Sequence, residues 1–274
     1  EWIEIDRILA CRVDREIVNV RGKYGAFEET MEKERRKFFV KWKDQSYALA
    51  TWELEDDLND DRKLALFQRF NYPPILQNAP PILTRDVRPD PTEWAQYTES
   101  PLYNNNMKLR NYQIEGLNWL TFCWFNRRNS ILADEMGLGK TVQVVSFLNH
   151  LKSRQGLRGP FLVVAPLATL EHWKREFEHW TDMNVVLYHA SEGGRATREI
   201  IQNYEWRFPQ GNREQQRLIK FNVLLTSYEL ISHDFEDLSR IHWRCVVVDE
   251  AHRLKNQSSQ LVHCLNDFFG VNNS

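Results

Sequence analysis

The sequence predicts an α/β fold in which helices cover both faces of a mostly parallel β-sheet, preceded by a small β-rich domain. Three observations support this fold class. In residues 109–274, short apolar runs alternate with helical or polar stretches, as in sheets with helical crossovers. In residues 1–72, strand-like runs precede a helical pattern. Between these parts, residues 73–108 are rich in proline and lack periodicity, which predicts an extended linker.

In the N-terminal part, runs of apolar residues typical of strands and one apolar helix face predict the secondary structure. We predict strands at residues 3–20, 38–43 and 50–54, and a closing helix at residues 58–70. Residues 21–37 are highly charged and lie between the first two strands. They predict either a solvated loop or an extension of a β-hairpin.

The C-terminal elements begin with residues 109–124, which carry apolar side chains at helical spacing. A polar stretch, residues 203–220, predicts a surface insertion. Residues 131–133 and 245–248 are expected to be buried strands, and ligands of such sheets bind at the carboxyl ends of the strands. In full, strands are predicted at residues 131–133, 161–165, 185–188, 223–226 and 245–248.

A glycine-rich loop ending in Gly-Lys-Thr lies between a predicted strand and a predicted helix. Free N–H groups and the helix dipole make such a helix start an anion site, and Gly137 and Gly139 allow close approach of phosphates. Lys140 can then reach the β- and γ-phosphates, and the Thr141 hydroxyl can ligate Mg²⁺. Asp134 stands where the general pattern has its first glycine, so a surface turn remains the alternative for this loop alone.

Two carboxylates follow the last predicted strand. Asp249 would lie beside the phosphates and hold Mg²⁺, and Glu250 would position or deprotonate the attacking water. The alternative is a polar strand end followed by a solvated helix start. Because a nucleotide triphosphate and its magnesium ion require both motifs, their pairing predicts an ATPase site.

Composition limits the other classes of function. The chain has 36 basic and 38 acidic residues, so any DNA-binding surface must be a local patch. Its four cysteines form no C-x-x-C pair, which argues against a zinc site or a disulfide framework and fits a reducing, intracellular setting. No signal peptide or membrane-spanning run is visible, so no membrane partner is expected.

Further motifs give the C-terminal part a family resemblance. Residues 109–120 read Leu-Arg-Asn-Tyr-Gln-Ile-Glu-Gly-Leu-Asn-Trp-Leu, and residues 164–170 read Val-Ala-Pro-Leu-Ala-Thr-Leu. Residues 224–229 read Leu-Leu-Thr-Ser-Tyr-Glu, and residues 249–256 read Asp-Glu-Ala-His-Arg-Leu-Lys-Asn. With the loop at residues 134–141, these motifs resemble the RecA-like first lobe of a Snf-type ATPase of helicase superfamily 2.

The N-terminal part resembles a chromodomain. The resemblance is carried by Phe-Val-Lys-Trp-Lys at residues 39–43 and Thr-Trp-Glu at residues 51–53. A chromodomain before a Snf-type lobe is the arrangement of the chromodomain–helicase–DNA-binding (CHD) family. Ser-Ile-Leu-Ala-Asp-Glu-Met at residues 130–136 looks most like the branch found in the nucleosome remodelling and deacetylase complex. The domains expected are a chromodomain (the second of a tandem) at 1–72, a linker at 73–108 and a truncated ATPase lobe one at 109–274.

The resemblance implies ATP and Mg²⁺ as cofactors and assigns residue roles. Gln113 matches the family's adenine-recognising glutamine, and Asp134 is the family's usual residue in the loop. Lys140, Asp249 and Glu250 would be catalytic, with Thr141 and Asp249 as metal ligands. The expected nucleotide-binding residues are Gln113, Asp134, Glu135, Met136, Gly137, Leu138, Gly139, Lys140 and Thr141.

Two further motifs match segments that line the family's DNA backbone track, where N–H groups and hydroxyls hold phosphates without reading sequence. Ordinary loops at strand ends are the alternative. The expected DNA-contact residues are Pro166, Leu167, Thr169, Thr226 and Ser227.

The chromodomain resemblance implies one further site, an aromatic cage for methyl-lysine. Trp42 matches a cage position, but Ile3 and Gln45 fall at the other two, so the expected cage is incomplete. The alternative is that Trp42 packs in or beside the core and binds no methyl-lysine. The chromodomain would then contact DNA or regulate the ATPase lobe.

The resemblance implies a nuclear, ATP-dependent chromatin remodeller in which DNA-stimulated hydrolysis drives translocation on nucleosomes. Its expected partners are double-stranded DNA, nucleosomes and histones, with histone deacetylase complex subunits by resemblance. A conventional superfamily-2 helicase and a non-catalytic chromatin-binding or histone-binding module are the alternatives. The family's second lobe supplies arginines to the γ-phosphoryl group, so residues 1–274 alone are expected to hydrolyse ATP negligibly.

Overall fold

The computed structural model describes residues 4–21, 28–72, 88–135, 137–189, 194–208, 218–254 and 260–268. The chain divides into two compact units. The first unit comprises Glu1–Pro73 and Ala190–Lys220, and the second unit comprises Pro74–His189 and Phe221–Ser274.

Seven strands and eight α-helices are assigned within these described residues. None of these helices is long and apolar enough to cross a membrane. The strands are β1 (Ile5–Arg21), β2 (Glu28–Trp42), β3 (Thr51–Leu54), β4 (Phe161–Val164), β5 (Val185–Tyr188), β6 (Val223–Thr226) and β7 (Cys245–Val248). The helices are α1 (Asp61–Asn71), α2 (Asn111–Phe125), α3 (Lys140–Ser153), α4 (Leu170–Trp180), α5 (Gly194–Ile201), α6 (Tyr228–His233), α7 (Phe235–Ser239) and α8 (Gln260–Phe268).

The first unit is built on an antiparallel sheet of order β1-β2-β3. Pairing of β1 with β2 runs from Ile5 opposite Trp42 to Arg21 opposite Glu28, so the hairpin-extension alternative is confirmed for residues 21 and 28–37, while residues 22–27 lie outside the described residues. Helix α1 packs against this sheet and closes the unit, as predicted. The core of the unit consists of Ile5, Ile8, Phe38, Val40, Leu58 and Phe67.

A buried polar cluster joins distant parts of the chain within the first unit. The Glu205 carboxylate is completely buried and accepts hydrogen bonds from Arg7 Nη2 at 3.0 Å and from the Tyr47 hydroxyl at 3.4 Å. Lys220 Nζ donates to Asn71 Oδ1 at 3.3 Å, and burial lowers the pKa of Lys220 to about 8. These polar side chains are buried because they satisfy one another.

The prediction of a surface insertion at residues 203–220 is therefore wrong for most of its described residues, although Asn203 and Arg207 are exposed. Trp206 and Phe208 are 7% and 2% exposed, and Tyr204 packs on Phe39 with ring centroids 5.0 Å apart. The polar composition of this stretch indicates solvent exposure, but Glu205 and Lys220 are buried and hydrogen-bonded to residues of the first unit.

The second unit is built on a parallel sheet of order β5-β6-β4-β7, with helices packed against it. This arrangement confirms the predicted α/β class. Strands β4 and β6 lie in the interior of the sheet and are completely buried, and their apolar composition suits a parallel sheet that is covered on both faces. Fully buried core residues of this unit include Leu117, Leu148, Leu151, Phe161, Val163, Phe177 and Leu225.

Two predictions about the sheet are wrong. Residues 131–133 are not assigned to a strand, and Ile131 is 79% exposed. The run holds only three apolar residues between polar neighbours, which is too little surface to bury. The sequence predicts that strand β7 is covered on both faces, yet it is only half-buried and lies at one edge of the sheet.

Part of the predicted linker is packed structure. Residues 73–87 lie outside the described residues, but Trp94 and Tyr97 fold onto α2. Trp94 Nε1 donates to Thr121 Oγ1 at 3.1 Å, and the Tyr97 N–H donates to Asn118 Oδ1 at 2.7 Å. Aromatic burial and amide pairing outweigh the extended tendency of the prolines here. The predicted domain boundaries stay predictions.

Candidate nucleotide-binding site

The glycine-rich loop ends where α3 begins, as the sequence predicts. Gly137 and Gly139 have φ angles of +87° and +76°, in the left-handed region that favours glycine. A Cβ atom on Gly139 would lie 2.5 Å from Gln113 Nε2, so a larger residue there would displace this amide. Helix α3 starts at Lys140 and presents its free N–H groups to the loop. Met136 lies outside the described residues.

Lys140 is held against the loop by the loop's own backbone. Its Nζ donates to the carbonyl of Asp134 at 2.6 Å and to the carbonyl of Glu135 at 3.2 Å. Thr141 follows in the first turn of α3 and is half-buried. Ammonium, hydroxyl and helix N–H groups therefore share one end of α3, which is the donor set that phosphates require.

Gln113 ties α2 to this loop. Its Oε1 accepts from the Arg110 N–H at 2.9 Å, which caps the start of α2. Its Nε2 donates to the Leu138 carbonyl at 3.4 Å. The residue predicted to recognise adenine thus lies directly against the phosphate loop.

Asp134 has a buried partner that the sequence reading missed. Gln143 of α3 is completely buried, and its Nε2 donates to Asp134 Oδ2 at 3.0 Å. Gln143 Oε1 has no hydrogen-bond partner in the described part of the chain, and it occupies the space that a Cβ on Gly116 would need. The sequence signal that could have identified Gln143 is the large polar side chain among the mostly apolar buried residues of α3.

Asp249 lies at the carboxyl end of β7, where the sequence predicts it. Its N–H donates to the Val164 carbonyl at 2.9 Å, and its Oδ1 accepts from the Glu250 N–H at 3.0 Å. Its Oδ2 accepts from Trp173 Nε1 at 3.0 Å, and its carbonyl accepts from the Tyr228 hydroxyl. Trp173 and Tyr228 are site residues that the sequence reading did not identify.

Glu250 is exposed and adopts a φ angle of +50°. A non-glycine residue in this region is strained by about 1–3 kcal/mol, and such strain clusters at functional sites. His252 Nδ1 lies 3.2 Å from Glu250 Oε2.

The residues present fit a magnesium nucleotide. Mg²⁺ prefers hard oxygen donors and is usually held by one or two protein groups plus phosphates. Thr141 and Asp249 supply a hydroxyl and a carboxylate of this kind. Among the described residues, no group of three or more histidine, cysteine or acidic side chains could hold a metal by itself.

The predicted DNA-contact residues fall into two groups. Leu167 is 52% exposed, on the 3₁₀ turn Leu167–Thr169 that follows Pro166 and β4. Thr226 and Ser227 are buried, and Thr226 Oγ1 donates to the Tyr188 carbonyl at 3.0 Å.

Trp42 is half-buried on β2. Its indole N–H donates to Thr51 Oγ1 at 2.9 Å, and its ring packs beside the core of the first unit. The neighbouring Trp52 stacks on Phe39 and carries the Arg12 guanidinium 4.3 Å from its ring centroid.

Comparison with known proteins gives two family matches along the chain. Residues 112–273 match the SNF2-related domain, and residues 3–70 match the Chromo (CHRromatin Organisation MOdifier) domain. The chain belongs to the SNF2-related family. A chromo domain followed by an SNF2-related domain confirms the predicted resemblance to CHD proteins.

Individual relatives support the same assignment. The chain is 43% identical over 267 residues to Chromodomain-helicase-DNA-binding protein 6 of Rattus norvegicus, covering 97% of this chain and 9% of that protein. It is 46% identical over 228 residues to Chromodomain-helicase-DNA-binding protein 7 of Homo sapiens, covering 83% and 7%. The chain thus spans less than a tenth of the length of these relatives. Placement in the nucleosome remodelling and deacetylase branch stays a prediction.

A solved structure is also similar. The Sulfolobus solfataricus SWI2/SNF2 ATPase core in complex with dsDNA is 26% identical to this chain, with a TM-score of 0.49. The similarity covers 62% of this chain and 32% of that one.

Proposed function

We propose that this chain is part of a nuclear, ATP-dependent chromatin remodeller, in which DNA-stimulated ATP hydrolysis drives DNA translocation on nucleosomes. The observation that carries this proposal is the loop before α3. Lys140, Thr141 and Gln113 converge there, in the same compact unit as Asp249 and Glu250. The family membership and the preceding chromo domain support the chromatin setting.

The residues of the site divide the chemistry among them. The N–H groups of the loop and Lys140 would bind the β- and γ-phosphates, and Gln113 would recognise the adenine. Thr141 and Asp249 would hold Mg²⁺, which neutralises charge that develops on the phosphates. Glu250 would orient or deprotonate the attacking water.

The DNA-contact assignment remains part of the proposal. The exposed turn Leu167–Thr169 could meet a DNA backbone, because it lies at a strand end beside the start of α4. The Thr169 hydroxyl donates to the Pro166 carbonyl at 2.9 Å, so a DNA phosphate would have to replace this acceptor. Thr226 and Ser227 would act through the backbone of their strand end, since their side chains are buried. Double-stranded DNA, nucleosomes and histones are the proposed partners. Subunits of a histone deacetylase complex are proposed as further partners, on the resemblance to the nucleosome remodelling and deacetylase branch.

Nucleotide binding by residues 1–274 tests the first step. We expect a fluorescent ATP analogue to bind in the presence of Mg²⁺, and Lys140→Met to weaken binding by about tenfold or more, because a charge-assisted phosphate contact is lost. Lys108→Met, which removes an exposed lysine outside the loop, should bind as wild type does. Absence of nucleotide binding in a folded protein would favour a non-catalytic chromatin-binding module.

Hydrolysis by a longer protein that includes the second lobe tests the remaining steps. The rate should rise with free DNA and further with nucleosomes, and Glu250→Gln should abolish it while preserving nucleotide binding. Residues 1–274 alone should show negligible turnover. Strand separation of a DNA duplex by the longer protein would favour a conventional helicase instead.

A further inference from the structure

Two aromatic side chains hold Asp249, and each belongs to a helix that starts at a predicted DNA-contact segment. Trp173 lies on α4, which begins directly after the turn Leu167–Thr169. Tyr228 is the first residue of α6 and directly follows Ser227. Helices α4 and α6 therefore connect the predicted DNA-contact segments to the carboxylate that is proposed to bind the metal.

The Trp173 contact fixes the direction of the Asp249 side chain. An indole N–H is only a donor, and Trp173 is 3% exposed, so its N–H requires a protein acceptor. That acceptor is Asp249 Oδ2, at 3.0 Å. Because a hydrogen bond to a carboxylate is among the stronger ones, the carboxylate is held in one orientation. Trp173 packs in the core beside Phe177, with a ring-centroid distance of 6.2 Å.

Tyr228 holds the backbone of the same residue. Its hydroxyl donates to the Asp249 carbonyl, and its ring is 6% exposed. The N–H of Asp249 is meanwhile fixed to Val164 at the end of β4. The main chain and the side chain of Asp249 are thus held from two different helices.

We propose that Trp173 and Tyr228 are positioning residues that couple DNA backbone contact to magnesium-nucleotide binding through Asp249. The inference rests on the proposed function. Trp173 lies three residues beyond the start of α4, about one helical turn, and a helix of this length moves as a rigid piece. A displacement of the turn Leu167–Thr169 by DNA therefore shifts the indole N–H, and with it the orientation of the metal-binding carboxylate.

The simpler alternative is that Trp173 only fills the core. Trp173→Phe separates the two roles, because phenylalanine keeps a buried ring and lacks the N–H. The matched control is Trp180→Phe on the same helix. Trp180 is 6% exposed, and its Nε1 donates to Glu176 Oε2 at 3.0 Å, away from Asp249.

The experiment measures the affinity of residues 1–274 for a fluorescent ATP analogue, with Mg²⁺ or EDTA and with or without a DNA duplex. In wild type, Mg²⁺ should tighten nucleotide binding and duplex DNA should change this tightening. In Trp173→Phe, the increase in nucleotide affinity caused by Mg²⁺ should be about tenfold smaller, which is the effect expected when a metal ligand loses a hydrogen-bond partner. The effect of duplex DNA on nucleotide affinity should also be lost in this variant. Its affinity in EDTA should match wild type, and Trp180→Phe should match wild type throughout.

A second pair of variants guards against misfolding of Trp173→Phe. Tyr228→Phe should reduce the response to DNA, whereas Tyr188→Phe should not, although the Tyr188 hydroxyl is also buried and donates to Asp234 Oδ2 at 2.7 Å. Wild-type behaviour of both Trp173→Phe and Tyr228→Phe, or equal losses in the two controls, would overturn the coupling. A wild-type protein that binds no nucleotide would instead reject the proposed function, and the coupling with it.

Discussion

At the scale of single residues, Gly116 and Gln143 show how a small residue supports the phosphate loop. The Gln143 amide reaches Asp134 from inside the protein, and its Oε1 lies 1.8 Å from the position of a Cβ on Gly116. Any residue could adopt the helical backbone conformation of Gly116. Glycine is required here because a side chain would collide with Gln143. The carboxylate of Asp134, which replaces the glycine of the general loop pattern, gains a fixed partner in this way.

Gly116→Ala should have opposite effects on stability in two backgrounds. In wild type it should lower the free energy of unfolding, because the new methyl group expels the buried Gln143 amide from its bond with Asp134. In Gln143→Ala it should raise this free energy, by up to about 1 kcal/mol, because alanine favours helix over glycine and no amide is in the way. Urea unfolding of the four proteins checks this, and additive effects would contradict it.

The same residues show which parts of the site were predictable. Gly137, Gly139, Lys140 and Thr141 are adjacent in sequence, so their chemistry could be recognised without a structure. Trp173 is separated from Asp249 by 76 positions, and nothing in the local spacing of either residue indicates the contact.

At the scale of elements, α5 and the π-helical turn Gln202–Trp206 after it contribute to the first unit, and Glu205 is the centre of their attachment. Glu205 also forms an ion pair with Arg7 Nε of β1. Such a buried pair is costly to break, because removing one partner leaves the other charge without compensation.

Glu205→Gln should lower the free energy of unfolding of the first unit by about 3 kcal/mol, since the Arg7 guanidinium loses its carboxylate. Glu199→Gln is the matched control on α5. Its side chain is 55% exposed and pairs with Arg195 at 2.8 Å, so its loss should cost about 0.5 kcal/mol or less. Chemical unfolding followed by a probe in β1 or β2 measures both, and similar values for the two variants would contradict the prediction.

Element prediction succeeded for the positions of four strands of the parallel sheet. Strands are predicted at 161–165, 185–188, 223–226 and 245–248, and β4, β5, β6 and β7 lie there. The prediction failed at residues 131–133 and 203–220, where burial depends on partners elsewhere in the chain. At residues 131–133, Ile131 remains exposed because no other part of the described chain covers it. At residues 203–220, Glu205 is buried because Arg7 donates a hydrogen bond to it.

At the scale of the whole molecule, the connection between β5 and β6 belongs to a different unit from the strands it joins. These strands are parallel neighbours in the second unit, whereas Ala190–Lys220 is part of the first unit. Parallel strands need a crossover of about a dozen residues or more, usually a helix that covers their own sheet. Here the crossover supplies Glu205 and Lys220 to the first unit instead.

Replacing residues 190–220 by a flexible Gly/Ser linker of about twelve residues, the minimum for a parallel crossover, should therefore destabilise the first unit selectively. Phe39 and Arg7 would lose Tyr204 and Glu205, while the core between α2, α3 and β4 would keep its own contacts. Hydrogen exchange should become faster at the amides of β2 and remain slow at those of α3, because local stability follows the contacts of each unit. Equal acceleration in both places would mean that the crossover stabilises the sheet it connects, and unchanged exchange in β2 would mean that residues 4–72 form their fold without it.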